Sequence, residues 1–259
     1  MMAKSEAIKN AFATAAQVYQ NKADVQYRVA GQLAKMVATY ELPARPHILE
    51  IGCGTGFLSQ HLVDVWPDAT LLCSDIAPEM VASCRANLVD VDDELVSFAV
   101  MDGENLPKGE KFDLIVSSLV FQWFVDPLGN LANLVDRLNP GGRLAFVTLG
   151  EETFKEWRGL CDKNRIACGL HDYPTRDDWQ SCWPDDGAGE MDTSMIIEEH
   201  PSPLAFLKGL KEIGTGLPVT GHAPVSGGEL RRVLAGYVRD KSSFCVTYHL
   251  LFGSFLKNL

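Results

Sequence analysis

The stretch LEIGCGTGF, residues 49–57, decides the fold. An apolar run carries Glu50 near its end and is followed at once by Gly52, Gly54 and Gly56, spaced two apart. Residues without a Cβ let the chain turn sharply and let a ligand touch the backbone beside the N-terminus of the next helix. A dinucleotide loop of the GxGxxG type carries its third glycine where this chain has Phe57, with Leu58 behind it. The loop alone therefore selects no ligand, and the residues around it have to.

Outward from the loop, short apolar runs alternate with helical stretches. The runs are HILEIG (47–52), TLLCSDI (70–76), VSFAV (96–100), FDLIVSSL (112–119) and RLAFVTL (143–149), with helices opening near Phe57, Pro78 and Pro127. Strands that are apolar through their length and alternate with helices predict a parallel sheet covered on both faces. Gly141 and Gly142 supply the turn into the fifth strand.

Before the sheet, residues 6–40 read as two helices, with Ile8, Phe12, Ala16 and Tyr19 on one face of the first and Ala23, Tyr27, Ala30, Leu33 and Val37 on the second. After residue 150 the alternation stops. A helical piece starts at Thr153, a loop rich in Trp, Pro and Asp runs to about 190, and SMIIEEH (194–200) is a sixth strand. Helices over 203–214 and 226–240 precede a last strand, SFCVTYHLLFGSF (243–255). The expectation is one α/β domain over 1–259: a Rossmann-like, mostly parallel seven-stranded sheet with helices on both faces. Residues 1–42 form an N-terminal helical extension, 47–150 a ligand-binding core and 202–242 a helical lid insertion.

Composition narrows the class. A chain of 259 residues, 46% hydrophobic, can bury a full core. No apolar stretch reaches the ~20 residues a bilayer span needs, so no membrane partner is expected. The start, MMAKSEAIKNAFATAAQ, lacks the apolar core of a secretory signal. The seven cysteines contain no CxxC pair, which fits free thiols, and the expected location is cytoplasmic. The six histidines lack HxxxH and HExxH spacings, and no metal is expected. A net charge of −11 repels phosphate backbones, so nucleic acid is not an expected partner.

The acids behind the loop carry the ligand reading. Glu50 precedes it, Asp75 ends the second strand, and MDGENLP (101–107) brings Asp102 past the third. In a doubly wound sheet these positions share the carboxyl edge, where ligands bind. Asp75 there suits both hydroxyls of a ribose, and Asp102 an exocyclic adenine amine. S-Adenosylmethionine has those groups and no pyrophosphate. Taken singly, Asp75 is also a helix cap and the glycines a tight turn.

LEIGCGTG, SDIAPEM, MDGENLP and FDLIVSSLVFQWFVDP, in that order over residues 47–150, resemble the successive motifs of class I S-adenosylmethionine-dependent methyltransferases. The resemblance implies that the cofactor is held by Tyr19, Glu50, Gly52, Gly54, Gly56, Asp75, Ile76, Met80, Asp102, Gly103, Glu104 and Ser117. Glu50 would hold the methionine end, or else structure the loop. The product would be S-adenosylhomocysteine.

Three further stretches bear on the acceptor: FATAAQVYQNKADVQ (12–26), LVFQWFVDP (119–127), and FLKGLKEIGTG (206–216) with VTYHLLFG (246–253). They resemble the malonyl-acyl-carrier-protein O-methyltransferases of biotin synthesis, whose members carry AAxxYxxxAxxQ, an SNLxxQW-like segment, an LKxIGA lid helix and a YHL near the C-terminus. Ser118 departs from the asparagine and Thr215 from the alanine of many members. The resemblance implies methyl transfer to the free carboxylate of malonyl-acyl-carrier protein, or of malonyl-coenzyme A, with Tyr19, Gln122, Trp123, Lys211 and Tyr248 at the acceptor. Trp123 and Tyr19 also fit plain core positions.

A carboxylic acid is already ionised at neutral pH and needs no general base, consistent with the absence of a His/Asp dyad near the motifs. Lys211 is favoured as the cation that selects an acid, with Lys208, Arg143 and Arg28 as rivals. ELRRVLAGYVRDK (229–241), with Arg231, Arg232, Arg239 and Lys241, is a candidate docking face for an acidic carrier, or an ordinary wet helix face. Two other functions are compatible with the chain: methylation of a small free acid or quinone-like molecule, and cofactor binding without turnover.

Overall fold

The computed structural model describes residues 2–89, 91–219, 227–237 and 243–259, without the side chains of residues 2–4, 231, 232, 235 and 236. Helices α1 (Met2–Lys22) and α2 (Asp24–Val37) precede β1 (His47–Ile51), α3 (Phe57–Val65), β2 (Thr70–Asp75), α4 (Pro78–Asn87) and β3 (Val96–Val100). Then come β4 (Phe112–Ser118), a single 3-10 turn (Phe121–Trp123), α5 (Asn130–Val135) and β5 (Leu138–Leu149). The chain closes with α6 (Lys155–Asn164), α7 (Arg176–Ser181), β6 (Gly187–His200), α8 (Pro203–Glu212), α9 (Gly227–Tyr237) and β7 (Phe244–Lys257).

The strands form one seven-stranded sheet in the order β3-β2-β1-β4-β5-β7-β6. All neighbours run parallel except β7, which is antiparallel to both β5 and β6. The chain works outward from β1 in one direction through β2 and β3, then restarts beside β1 with β4. That reversal opens a crevice beyond the carboxyl ends of β1 and β4. The central strands lack alternation because both faces are covered. Leu33, Val29 and Leu62 of α2 and α3 lie in the core on one face, and Leu131, Phe146 and Trp179 in the core on the other.

Three elements differ from expectation. β5 starts at Leu138 rather than Arg143, because Leu138 already pairs with Phe112 before a register shift brings Arg143 opposite Leu114. A Cβ on Gly142 would stand 2.9 Å from the Asn139 carbonyl oxygen, so the bulge requires glycine. β6 starts at Gly187 rather than Ser194 and pairs with β7 along its whole length. Its first half, GAGEMDT, lacks the apolar alternation of a strand because its glycines make room for neighbours: a Cβ on Gly189 would fall 2.2 Å from the Trp183 ring, and one on Gly187 2.2 Å from the Leu256 carbonyl oxygen. The expected loop before it holds α7, whose Thr175 and Asp178 form a capping box and whose Trp179 is fully buried. Tyr27, placed with the apolar face of α2, is 54% exposed.

Between β6 and β7, α8 docks on α1. Gly214, just past α8, has φ +77°, and a Cβ there would come within 2.9 Å of the Ala11 carbonyl oxygen. Lys22 of α1 pairs with Glu212 at 2.6 Å, with both groups about half exposed. Parts of the expected 202–242 insertion, and Arg239 and Lys241 of the expected docking face, lie outside the described residues, as do the side chains of Arg231 and Arg232.

Candidate active site

The loop after β1 is built from backbone hydrogen bonds. The Gly52 and Cys53 amides both donate to the Ser74 carbonyl, at 2.7 and 2.8 Å, and Gly56 donates to the Cys53 carbonyl at 2.9 Å. Gly52, Gly54 and Gly56 have φ of 73°, 52° and 96°, a region that side chains make costly. Their reasons differ. A Cβ on Gly52 would strike Val120 at 2.2 Å, and one on Gly56 would press on Cys84 at 3.3 Å, whereas a Cβ on Gly54 would meet nothing within 4 Å. Gly54 therefore keeps open space that faces the crevice, and Gly56 lies behind it, packed on α4 rather than lining the cleft.

Asp75 closes the loop from the end of β2. Its Oδ2 accepts from the Gly54 amide at 3.0 Å and its Oδ1 from the Ala77 amide at 2.9 Å. Burial raises its pKa to about 6 against the opposing pull of those two amides. Asp102 accepts from the Glu104 amide at 3.0 Å and from Asn105 Nδ2 at 2.8 Å, which fixes a tight turn after β3. Glu104 in turn accepts from the amides of Val125 and Asp126, at 2.8 and 3.1 Å, and so ties this turn to the segment after β4.

That segment forms the floor of the cleft. Leu119 has φ 56°, an uncommon conformation for leucine. Gln122 holds it: Nε2 donates to the Leu119 carbonyl at 2.7 Å, while Oε1 accepts from Thr148 Oγ1 at 3.1 Å. Trp123 is half-buried rather than core, edge-on to Phe12 of α1 at 5.6 Å and to His171 at 6.0 Å. Tyr19 enters from α1, and burial followed by the nearby Asp75 pushes its pKa up, so it stays a protonated donor.

Most of the expected residues meet in one cleft: Tyr19, Gly52, Gly54, Asp75, Ile76, Met80, Asp102, Gly103, Glu104, Gln122, Trp123 and Tyr248 all line it. Four do not. Glu50 is buried under the loop, where Ser59 Oγ donates to its Oε2 at 2.5 Å. It links β1 to α3 and so structures the loop, and burial raises its pKa to about 8. Ser117 is buried and donates to the Ile51 carbonyl at 2.8 Å, and Ser118 faces the cleft in its place. Gly56 is the third.

Lys211 is exposed on α8 and lines no part of the cleft. Its rivals do no better: Lys208 is exposed, Arg28 is half exposed beside Asp24, and Arg143 stacks on Tyr40 at 4.4 Å from the start of its parallel run, away from the ligand edge. Gln26, Tyr173, Phe154 and Thr215 line the cleft and were not expected there. Gln26 ends the AAxxYxxxAxxQ pattern, so its place was legible. Tyr173 lies in a loop with no periodicity to reveal it.

Among the described residues the only charged side chains lining the cleft are Asp75, Asp102 and Glu104. Acids with an open glycine backbone suit a ligand that carries ribose hydroxyls, amines and a positive sulfur, and no basic group there would meet a pyrophosphate. The residues present fit S-adenosylmethionine. The cleft runs from the glycine loop and Asp75 to Tyr173 and Thr215, so one cavity is walled by both the acids behind the loop and the α8 segment.

Residues 49–144 match the methyltransferase-domain family. The malonyl-[acyl-carrier protein] O-methyltransferase of Magnetococcus marinus is 42% identical over 93% of this chain and 88% of its own. The chain belongs to the malonyl-[acyl-carrier protein] O-methyltransferase family. The biotin biosynthesis bifunctional protein BioCD of Bordetella avium is 40% identical over 96% of this chain, which spans about half, 52%, of that longer relative. Among solved structures, the plantazolicin methyltransferase BpumL in complex with S-adenosylhomocysteine shares the fold, with a TM-score of 0.56 at 16% identity over 99% of this chain and 96% of that one. The YcgJ protein of Bacillus subtilis superposes with a TM-score of 0.63 at 15% identity, over 88% of this chain and 99% of its own. As a family member the chain is an S-adenosylmethionine-dependent carboxyl O-methyltransferase of class I fold.

Proposed function

We infer that this chain transfers a methyl group from S-adenosylmethionine to the free carboxylate of malonyl-acyl-carrier protein, giving the malonyl methyl ester that enters biotin synthesis. The observation that carries the reading is the cleft itself, walled by acids that follow β2 and β3 and by the neutral donors Tyr19, Gln122 and Tyr173. Its similarity to the Magnetococcus marinus enzyme runs through nearly the whole chain.

The bound cofactor supplies an electrophilic methyl group on a sulfonium. The chain's part is to bind, align and dry. Asp75 and Gly54 fix the nucleoside end, and Leu119 with Gln122 sets the floor where the acceptor approaches. The acceptor carboxylate, with an unperturbed pKa near ~4, arrives ionised and needs no base. Alignment of two reactants is worth as much as ~7–11 kcal/mol. Phe12, Trp123 and Phe154 exclude water around them, and Leu210 and Thr215 bring the α8 segment to the cleft wall.

Intact-mass measurement tests the assignment. Malonyl-carrier protein incubated with the enzyme and cofactor should gain one methyl group, and acetyl-carrier protein none. Methylation of free acids with no change in malonyl-carrier protein would instead support the small-acid reading.

A further inference from the structure

Tyr173 is at the wall of the cleft, and Arg158 binds the two residues before it, through the His171 carbonyl and the Asp172 carboxylate. Tyr173 lines the cleft from the loop between α6 and α7. Among the described residues its hydroxyl has no hydrogen-bond partner, whereas Tyr248 donates to Glu198 Oε2 at 3.1 Å and so directs its proton away from any ligand. Arg158, on α6, is a half-buried cation whose charge acts on Tyr173. Its side chain is 24% exposed; one terminal nitrogen meets Asp172 Oδ1 at 3.2 Å and the other donates to the His171 carbonyl oxygen. The third group, Nε, is buried with no partner.

The surroundings separate the donor end from this one. The Tyr19 hydroxyl feels Asp75, which repels an anion. Tyr173 feels Arg158 more strongly than Asp172; burial pushes it up to about 12, so it remains a protonated donor at neutral pH. Asp172 is 99% exposed, so water screens its charge, while the partly buried guanidinium is screened less. Tyr173 and Tyr19 both raise the pKa of Tyr248, so each phenol acts on Tyr248. The wall is also anchored: His171 packs edge-on to Trp123 at 6.0 Å, and its Nε2 lies 3.1 Å from the Leu217 carbonyl oxygen. Tyr173 and Trp123 line the same cleft.

We propose that Tyr173 is the hydrogen-bond donor of the acceptor-carboxylate subsite, and that Arg158 behind it is the positioning residue that supplies positive field. The subsite rests on the carboxyl-methylation reading above. A neutral phenol can hold one carboxylate oxygen and leave the other free to attack, whereas a guanidinium in direct contact binds both oxygens as a fork. Keeping the cation one layer back selects an anion without tying up the nucleophile.

The test compares wild type with Tyr173→Phe, Arg158→Gln and Arg158→Lys. Two readouts are kcat/KM on malonyl-carrier protein and inhibition by the malonamyl thioester, in which a neutral amide replaces the carboxylate. Loss of a hydrogen bond to a charged group should lower kcat/KM of Tyr173→Phe roughly tenfold to a hundredfold. The preference for carboxylate over amide should shrink by a similar factor, with S-adenosylhomocysteine affinity held within about twofold. Arg158→Gln should shrink the same preference, and Arg158→Lys should restore part of it. A Tyr173→Phe enzyme with the wild-type preference overturns the subsite while leaving the function standing. A wild-type enzyme that methylates no malonyl thioester removes the function and the subsite with it.

Discussion

Leu119 and Gln122 form a closed unit at the end of β4: Leu119 is held at φ 56° by its carbonyl, which accepts from Gln122 Nε2 at 2.7 Å. A left-handed leucine costs ~1–3 kcal/mol, and Gln122, anchored in turn by Thr148, offsets it. Gln122→Ala should let the segment relax and lower kcat roughly tenfold or more. Binding of S-adenosylhomocysteine should change little, because the glycine loop and Asp75 stand on other strands. Stopped-flow turnover and calorimetry on one preparation check this, and an unchanged kcat would count against the unit.

Asp75 joins β2 to the loop through Gly54. Asp75→Asn replaces one acceptor oxygen by a donor facing the Gly54 or Ala77 amide, so the loop loses a charge-assisted bond. S-Adenosylhomocysteine affinity should weaken by ~1.5–3 kcal/mol, measured by calorimetry. Affinity retained at the wild-type value would mean that Asp75 only caps α4.

Glu50 and Asp75 make the ligand-free protein sensitive to pH in a definite direction. Both have folded pKa values raised above the unfolded ones, to about 8 and about 6, by burial. Each therefore contributes stability that is fully present below its unfolded pKa near ~4. That stability is lost as pH rises through about 6 for Asp75 and about 8 for Glu50. The stability should fall across that window by an amount on the order of a few kcal/mol, and the melting temperature with it. Glu50→Gln should abolish the upper part of the fall. A flat profile in the wild type would contradict the burial of Glu50.

Gly214 seats α8 on α1. With φ +77° and 2.9 Å between a notional Cβ and the Ala11 carbonyl oxygen, Gly214→Ala must push the two helices apart. A loss of ~1 kcal/mol of stability or more is expected, together with a raised KM for the acceptor, because Leu210 and Thr215 on either side of the docking point line the cleft. Lys22→Ala, by contrast, removes only an exposed pair with Glu212 and should shift stability by ~0–1 kcal/mol.

Much of the fold was legible because the physics that sets it is local. The apolar runs from β1 to β4, the glycines at positive φ and Pro78 at the start of α4 are short-range signals, and each marks its element to within a residue or two. The start of β6 was not legible, since Gly187 and Gly189 make room for β7 and the Trp183 ring rather than follow the strand pattern. α7 was hidden by its Asp and Trp content, although the Thr175–Asp178 capping box stood in the sequence. In the site, residues in order-preserving motifs, such as Asp75 and Gln122, came out where expected. Ser117 did not, because on a strand one step of register decides between cleft and core, and Glu50 took the second of its two expected places, under the glycine loop. Lys211 lies on α8, but on its wet side. Tyr173 is brought to the cleft by tertiary folding alone, from a loop that no periodicity describes.

The claim on which the account turns is that the methyl group ends on a carboxylate oxygen. Malonyl-carrier protein methylated with labelled S-adenosylmethionine, then treated with mild alkali, measures it directly. An ester should release the label as volatile methanol; label that stays non-volatile after alkali, whether on the protein or in a released acid, would mean a methyl on carbon or nitrogen, and would contradict the account.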